Sequence, residues 1–525
     1  MCGILFHYNQ NQALENGVLE FQETQVLDII KNGLGSKIPN SSQIFNSLVP
    51  KICSRGPNYS SLLVENNNML FFSSVLSLRS PFTKQPLESS RYIIQFNGEL
   101  YNNDIDGNDT QYIMNLLDQK SVIDTIHTLD GEFAFTIYDK KEQNICFGRD
   151  PVGKRSLAYY LKNEELYISS VQPGFEERSD FIDCDNGSIY QYSFKNKHLE
   201  IVEHAVTYNI NSNTDKDFKN IEDRLNKLNN VLIQSIKQRI HNIDPFHIES
   251  ETDPLYAILF SGGLDCTVIA GLAASISKPE TSIDLFNVGF DNPRTGMKAS
   301  EAPDRKLAIE SWLNLSKQFP SINFNLIEID IPYEEYLETR PKVIELMYPK
   351  NTEMDLSIAI AFYFASRGKG NRLSLHDVPL EQISYSSAKT VEHYQSKAKV
   401  LLSGLGADEL YGGYHKFANK DNESLAEELT RQINNIHERN LQRDDKVISD
   451  NGVEVRYPFL SHDVIQFSTQ EIEINYKISK LILRKLASQI GLEFVSEEPK
   501  RAIQFGAKSA KMTANGNKKG TDELK

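Results

Sequence analysis

Leu259-Phe-Ser-Gly-Gly-Leu-Asp265 is the stretch whose reading decides the fold. With the residues before it, it forms an apolar run from Tyr256 to Phe260 that reads as a buried strand. Ser261-Gly262-Gly263 breaks the run, and Leu264 to Ala274 continues as a helix. Glycines at a strand-to-helix turn let backbone N–H groups approach a phosphate, and the helix N-terminus adds positive potential there. Asp265 falls in the first helical turn, where a carboxylate can hold the Mg²⁺ that accompanies a nucleotide. No GxxxxGK[ST] occurs, so this is not the Walker arrangement. An ordinary strand–helix turn is the competing reading, and the flanking sequence has to decide between them.

Downstream, strands and helices alternate. Ile283 to Phe290 reads as a strand, Asp304 to Lys317 as a helix, Asn325 to Ile329 as a strand, Asp355 to Ser366 as a helix and Lys399 to Ser403 as a strand. Such alternation predicts an α/β doubly wound parallel sheet with its ligand at the carboxyl ends of the strands. Leu401-Leu-Ser-Gly-Leu-Gly-Ala-Asp-Glu-Leu-Tyr-Gly-Gly-Tyr414 repeats the design of the first loop. Ser403 and Gly404 end a strand, and Asp408 and Glu409 are aimed at the same crevice as Asp265. Acidic residues at two strand ends suit a Mg²⁺ bridging nucleotide and pyrophosphate oxygens, with Asp265 and Asp408 as the metal candidates.

Upstream, Ile221, Leu225, Leu228, Leu232, Ile236 and Ile240 recur at helical spacing and predict a helix packed on this domain. The polar stretch 206–220 reads as a linker, which divides the chain into domains at 1–205 and 221–507. Gly368 to Lys397 reads as an inserted polar loop without metal-ligand spacing, and the Lys-, Gly- and Asn-rich 508–525 as a disordered tail.

Composition excludes several classes. The 525 residues suit two or three domains, and 40% hydrophobic with 10% aromatic residues suits a globular core. A net charge of −15 argues against nucleic-acid and membrane-surface partners. No apolar run approaches ~18 residues and no secretory signal is read, so a cytoplasmic location is expected. The five cysteines, Cys2, Cys53, Cys146, Cys184 and Cys266, are odd in number and scattered, which suits reduced thiols.

Cys2 stands apart. With Met1 removed it would carry a nucleophilic thiol and a free α-amine able to serve as its base. Taken alone, a buried structural cysteine explains it equally well. Beyond it the chain carries an ordered set: Arg55-Gly-Pro-Asn58, Phe96-Asn-Gly-Glu-Leu-Tyr-Asn102, Gly107-Asn-Asp109, Leu129-Asp-Gly-Glu-Phe-Ala-Phe135 and Gly148-Arg-Asp-Pro-Val-Gly153. The set resembles the class II glutamine amidotransferase domain, the N-terminal half of asparagine synthetases. SGGLD matches the loop of enzymes that adenylate a carboxylate and release pyrophosphate. Arg443 with Asp445, Glu454-Val-Arg-Tyr-Pro-Phe-Leu460, Lys480-Leu-Ile-Leu-Arg484 and Glu498-Pro-Lys500 resemble further asparagine synthetase segments. Over roughly residues 2–510 the chain is most similar to the asparagine synthetase domain-containing proteins.

The resemblance implies an α+β N-terminal-nucleophile amidohydrolase sandwich followed by a doubly wound sheet of the SGGxD pyrophosphatase type. Cys2 would attack glutamine, with Asn97 and Gly98 supplying the oxyanion hole. Glu99 and Asp109 would hold the α-amino group. The family's carboxylate-binding arginine is replaced by Val75, which leaves Arg79 or Arg55 for that task, with a surface role the alternative for Arg79. Ser261, Gly262, Gly263, Asp265, Val288, Ser403, Gly404 and Lys500 would bind ATP, Lys500 facing the departing pyrophosphate. A surface lysine is the bland reading of Lys500. The implied partners are glutamine and a carboxylate acceptor, aspartate by default, giving asparagine, glutamate, AMP and pyrophosphate. Leu405 departs from the glutamate that asparagine synthetases place there as proton acceptor, and leucine can neither take nor give a proton. Two alternatives therefore stand: another carboxylate acceptor, or a non-catalytic binding protein on the same scaffold.

Overall fold

The computed structural model describes residues 2–524 except 36–41, 175–179, 247–249, 251–252, 415–416, 418–419 and 513–518. The N-terminal half is built on two antiparallel sheets, one of seven strands and one of six. The strand Cys2–Asn9 lies inside the first sheet, between Met69–Val75 and Glu165–Ser169. Alternation along it shows why both faces are covered. Ile4, Phe6 and Tyr8 join Ile93, Ala134, Tyr138 and Phe147 of the second sheet, whereas Leu5 points the other way into a cluster with Phe45, Leu48 and Ile52. Those last three belong to the helix Gln43–Arg55. On the far face of the second sheet, Tyr112, Ile113 and Leu117 of the helix Asp109–Leu117 pack on Ile94, Phe96 and Phe135. The result is two sheets face to face with helices outside, and a strand period of two with apolar residues on both faces.

In the C-terminal half five strands run parallel in the order Asn323–Ile331, Ser282–Phe290, Tyr256–Leu259, Val400–Leu402, Glu454–Arg456. In order of sequence this is 3-2-1-4-5, a doubly wound sheet whose direction of winding reverses between Tyr256–Leu259 and Val400–Leu402. The two glycine-bearing loops leave the carboxyl ends of those two neighbours. The strand at 256–259, the helix Leu264–Ile276 and the helix Ile221–Ile240 all form where their patterns predict them.

Two expectations need correction. The stretch from Gly368 to Lys397 is not an irregular loop: Lys369–Ser374 and Lys389–Gln395 form an antiparallel hairpin that extends the sheet beyond Asn323–Ile331. Its outer strand is almost wholly exposed, so it carries no apolar alternation to betray it. The 206–220 linker packs against the C-terminal half. Ile210 is buried with Phe417, Leu425 and Leu429, and Ile474 N–H donates to the Asn213 carbonyl. In the tail, the described residues of 508–525 are ordered. Met512 is buried, Ser509 Oγ donates to Ser357 O at 2.6 Å, and Glu523 bridges to Thr352. Backbone hydrogen bonds hold these segments, and such bonds leave no mark on composition. No helix among the described residues is long and apolar enough to cross a membrane.

The halves share one interior. The largest apolar cluster takes in Leu76, Leu78 and Val152 together with the core of the parallel sheet. A buried ionic network crosses the same boundary: Arg155 contacts Glu132 at 3.3 Å and Asp445 at 3.6 Å, and Arg239 contacts Glu132 at 2.8 Å. Charges this deep persist only because each is paired; unpaired, each costs several kcal/mol.

Candidate functional site

Two cavities hold the residues singled out from sequence. The smaller, about 30 Å³, lies before Cys2 and is also lined by Val75, Arg79, Gly98, Glu99 and Asp109. Cys2 opens its strand, and its backbone N–H donates to Asn97 Oδ1 at 2.9 Å. That bond ties the amide of Asn97 to the backbone of Cys2, although Asn97 itself does not line the cavity. Its Nδ2 is buried and has no hydrogen-bond partner among the described residues. An unmade buried bond of this kind costs ~1–3 kcal/mol. Gly98 at φ +153° cannot be replaced without a clash, since a Cβ would lie 2.0 Å from Glu132 O. Burial pushes the Cys2 thiol above its ordinary value, and Gln85 Nε2 lies 3.4 Å from the sulfur.

Arg79 dominates this cavity. Its guanidinium contacts Glu99 Oε1 at 2.5 Å and Asp109 Oδ1 at 2.7 Å. Burial raises both carboxyls above their usual range; Glu99 raises Asp109 further, Glu454 raises Glu99, and the Arg79 guanidinium opposes both shifts. The reading of Arg79 as a surface arginine is thus corrected. Arg55 is corrected the opposite way: it does not line the cavity but stands behind Cys2, with Nη2 2.8 Å from Asp445 Oδ2 and Nε 3.4 Å from Cys2 O.

The larger cavity, about 490 Å³, sits at the carboxyl ends of the parallel strands. Ser261, Gly263, Asp265, Val288, Ser403, Gly404, Leu405, Asp408 and Lys500 line it, so nearly every residue predicted there is brought together. Gly262 forms the turn at φ +77°, and a Cβ would lie 2.5 Å from Ala308 N, which only glycine tolerates. Asp265 and Asp408 do not repel across an empty gap. Lys480 Nζ bridges them, 2.6 Å from Asp265 Oδ2 and 2.6 Å from Asp408 Oδ1, and Lys500 contacts Asp408 from the other side. Although burial opposes ionisation of Asp408, the two ammonium groups hold its carboxyl down to about 2.

Lys480 is the residue that sequence reasoning noticed in its segment without assigning a task. Its backbone and that of Ser479 both lie in the left-handed region, at φ 61° and 52°. Two successive non-glycine residues there store strain of ~1–3 kcal/mol each, and here the strain delivers the ammonium to the paired aspartates. Arg443 was likewise placed only by likeness; it is buried at the cavity wall, 3.0 Å from Asp355 Oδ1 and 2.8 Å from Asp444 Oδ1. No group of three or more metal-ligating side chains exists among the described residues. A divalent cation at Asp265 and Asp408 would take the place of the Lys480 ammonium that bridges them, and would draw the rest of its shell from phosphate oxygens.

One residue touches both sites. The Arg456 carbonyl accepts from Ser403 N–H at 3.0 Å, and the Arg456 guanidinium contacts Glu99 Oε2 at 3.0 Å.

Two families match parts of the chain. A family described as glutamine amidotransferase domain matches residues 30–212, and one described as asparagine synthase matches residues 418–524. The chain is 51% identical to the asparagine synthetase domain-containing protein YML096W of Saccharomyces cerevisiae, over 100% of this chain and 99% of that one. It is 28% identical to asparagine synthetase domain-containing protein 1 of Gallus gallus, covering 88% and 94% of the two chains. With asparagine synthetase (glutamine-hydrolyzing) 1 of S. cerevisiae it shares 25% identity over 85% of this chain and 77% of the other.

Proposed function

The chain belongs to the asparagine synthetase domain-containing proteins, and on that premise we propose that it is a two-site, ATP-dependent glutamine amidotransferase. In this reading, removal of Met1 frees the α-amine of Cys2 as the base for its thiol. The thiolate attacks the glutamine side-chain amide, Asn97 Nδ2 and the Gly98 amide hold the oxyanion, ammonia leaves, and water releases glutamate. Glutamine's α-ammonium takes over Glu99 and Asp109 from Arg79, whose guanidinium turns to the α-carboxylate. In the larger cavity Ser261, Gly262, Gly263, Ser403 and Gly404 cradle ATP, with Val288 beside the nucleoside. Lys480 and Lys500 steady the polyphosphate. Mg²⁺ on Asp265 and Asp408 would neutralise phosphate charge as pyrophosphate departs. The acceptor carboxylate becomes an acyl adenylate and then an amide. Aspartate is the default acceptor, as the names of relatives suggest.

The observation that carries the reading is the Lys480 clamp on Asp265 and Asp408 at the point where the sheet reverses its winding. The test is ATP–pyrophosphate exchange across a panel of carboxylates, with ammonia release from glutamine assayed separately. Exchange with aspartate alone supports asparagine synthesis, and exchange with another acid identifies the acceptor. Neither exchange nor ammonia release would leave a binding protein, a reading favoured by Leu405 and by the small cavity before Cys2.

A further inference from the structure

A third cavity, of about 230 Å³, shares no lining residue with the two described above. It opens where the strand Asn323–Ile331 outruns its hairpin neighbour. Their register ends at Glu328 opposite Asn371, and Ile329, Asp330 and Ile331 continue beyond it. Glu328 and Asp330, two apart on that strand, share a face and line the cavity with Glu335, Arg367, Lys369 and Asn371.

Matching the charges leaves two groups over. Arg367 contacts Glu335 at 2.6 Å, and the buried Arg305 contacts Asp330 at 2.8 Å. Glu328 accepts from the Tyr385 hydroxyl at 3.2 Å, but Arg305 comes no nearer to it than Nη1 at 3.8 Å. That Nη1 is itself buried and has no hydrogen-bond partner among the described residues. Lys369 and Asn371 make no side-chain hydrogen bond or ion pair among the described residues. One carboxylate and one ammonium thus line the same cavity, neither with a close partner of opposite charge.

We propose that this cavity binds a free α-amino acid, its ammonium on Glu328 and its carboxylate on Lys369 and Asn371, and that binding there is felt in the larger cavity. An α-amino acid carries both charges on one carbon, whereas a simple anion or cation answers only half of the lining. Arg305 supplies the link. Its Nε donates to Asn287 Oδ1 at 2.7 Å, and Asn287 Nδ2 donates to the Phe260 carbonyl at 2.9 Å. Asn287 and Phe260 both line the larger cavity. A ligand ammonium on Glu328 takes over part of the charge that Arg305 balances, which alters the pull of Arg305 on Asn287. The amino-acid site stands without the amidotransferase reading; its effect on ATP rests on that reading.

The experiment dialyses the full-length protein to equilibrium against a mixture of the proteinogenic L-amino acids, with and without ATP, and quantifies each one bound. At least one should lose about tenfold or more in affinity in Lys369→Met and in Glu328→Gln, the scale of a lost hydrogen bond to a charged group. Succinate and butylamine, each offering only one sign of charge, should not displace it. In the parent that amino acid should change ATP affinity about fivefold or more, and ATP should change its affinity by the same factor. Both variants should keep the parent's melting temperature and its affinity for ATP alone. Equal binding by parent and variants of every amino acid overturns the site, and displacement by succinate or butylamine overturns the ligand class. Variant-sensitive binding that leaves ATP affinity unchanged overturns the link through Arg305. A parent without any ATP affinity overturns the nucleotide reading instead, and the dialysis then judges the amino-acid site by itself.

Discussion

Arg456 and Glu99 stand 357 residues apart in sequence and 3.0 Å apart in space, both buried, with the arginine's carbonyl already committed to Ser403 N–H. The acid of the smaller cavity is thereby tied to the loop beginning at Ser403. Replacing Arg456 with Met leaves Glu99 and Glu454 short of a buried partner. The expected cost is ~3–5 kcal/mol of stability, the range for breaking one side of a buried ion pair. Urea denaturation of the variant measures it, and a loss below ~1 kcal/mol would show that solvent or Arg79 compensates.

Cys2→Ala should abolish ammonia release from glutamine while pyrophosphate exchange with the acceptor persists, because the two cavities are separate. Equal loss of both activities would argue against two independent chemistries.

Gly262→Ala should cost more than the usual ~1 kcal/mol for leaving a left-handed glycine conformation, because its methyl would also meet Ala308 backbone. The loop should lose nucleotide affinity; the melting temperature shift on adding ATP reads this directly. A normal shift in the variant would mean that the loop does not hold nucleotide.

The Asp408 carboxyl titrates lower in the folded chain, about 2, than its unfolded reference near ~3.9. Its contribution is therefore complete above pH ~4 and is lost as pH falls toward about 2, amounting to about 2 kcal/mol. Lys480→Met should raise that titration and flatten the corresponding part of the stability profile. The check is denaturation between pH 5 and 3, comparing slopes of parent and variant.

Lys477 behaves in the opposite sense. Buried, with the carbonyls of Leu410 and Ser468 and the Tyr411 ring against its ammonium, it is pulled down by desolvation to about 7 although Glu473 opposes the shift. From there to its unfolded value near ~10.4 the unfolded chain binds more protons, so stability should rise with pH across that window. Lys477→Met should show no such rise. Parallel slopes for the two proteins between pH 7.5 and 9.5 would contradict the assignment.

How far the sequence carried can be seen residue by residue. Helix Ile221–Ile240 was legible because its apolar residues repeat at helical spacing, and the strand Tyr256–Leu259 because an apolar run ends in glycine. The hairpin at Lys369–Ser374 and Lys389–Gln395 was not legible, since an exposed edge strand imposes no alternation. Arg55 and Arg79 looked interchangeable as letters. Only packing put one behind Cys2 on Asp445 and the other before it on Glu99 and Asp109.

Sequence alone determined the local features: a cysteine at position 2, glycine turns at Ser261-Gly-Gly and Ser403-Gly, and carboxylates within about one helical turn beyond them. Those depend on a few adjacent residues, whose backbone preferences act at short range. Tertiary structure decided which charges meet. Lys480 closes on Asp265 across 215 residues, and Arg456 on Glu99 across 357. No local rule specifies such pairs, because ionic partners are chosen by where the packed sheets leave buried charge in need of neutralisation.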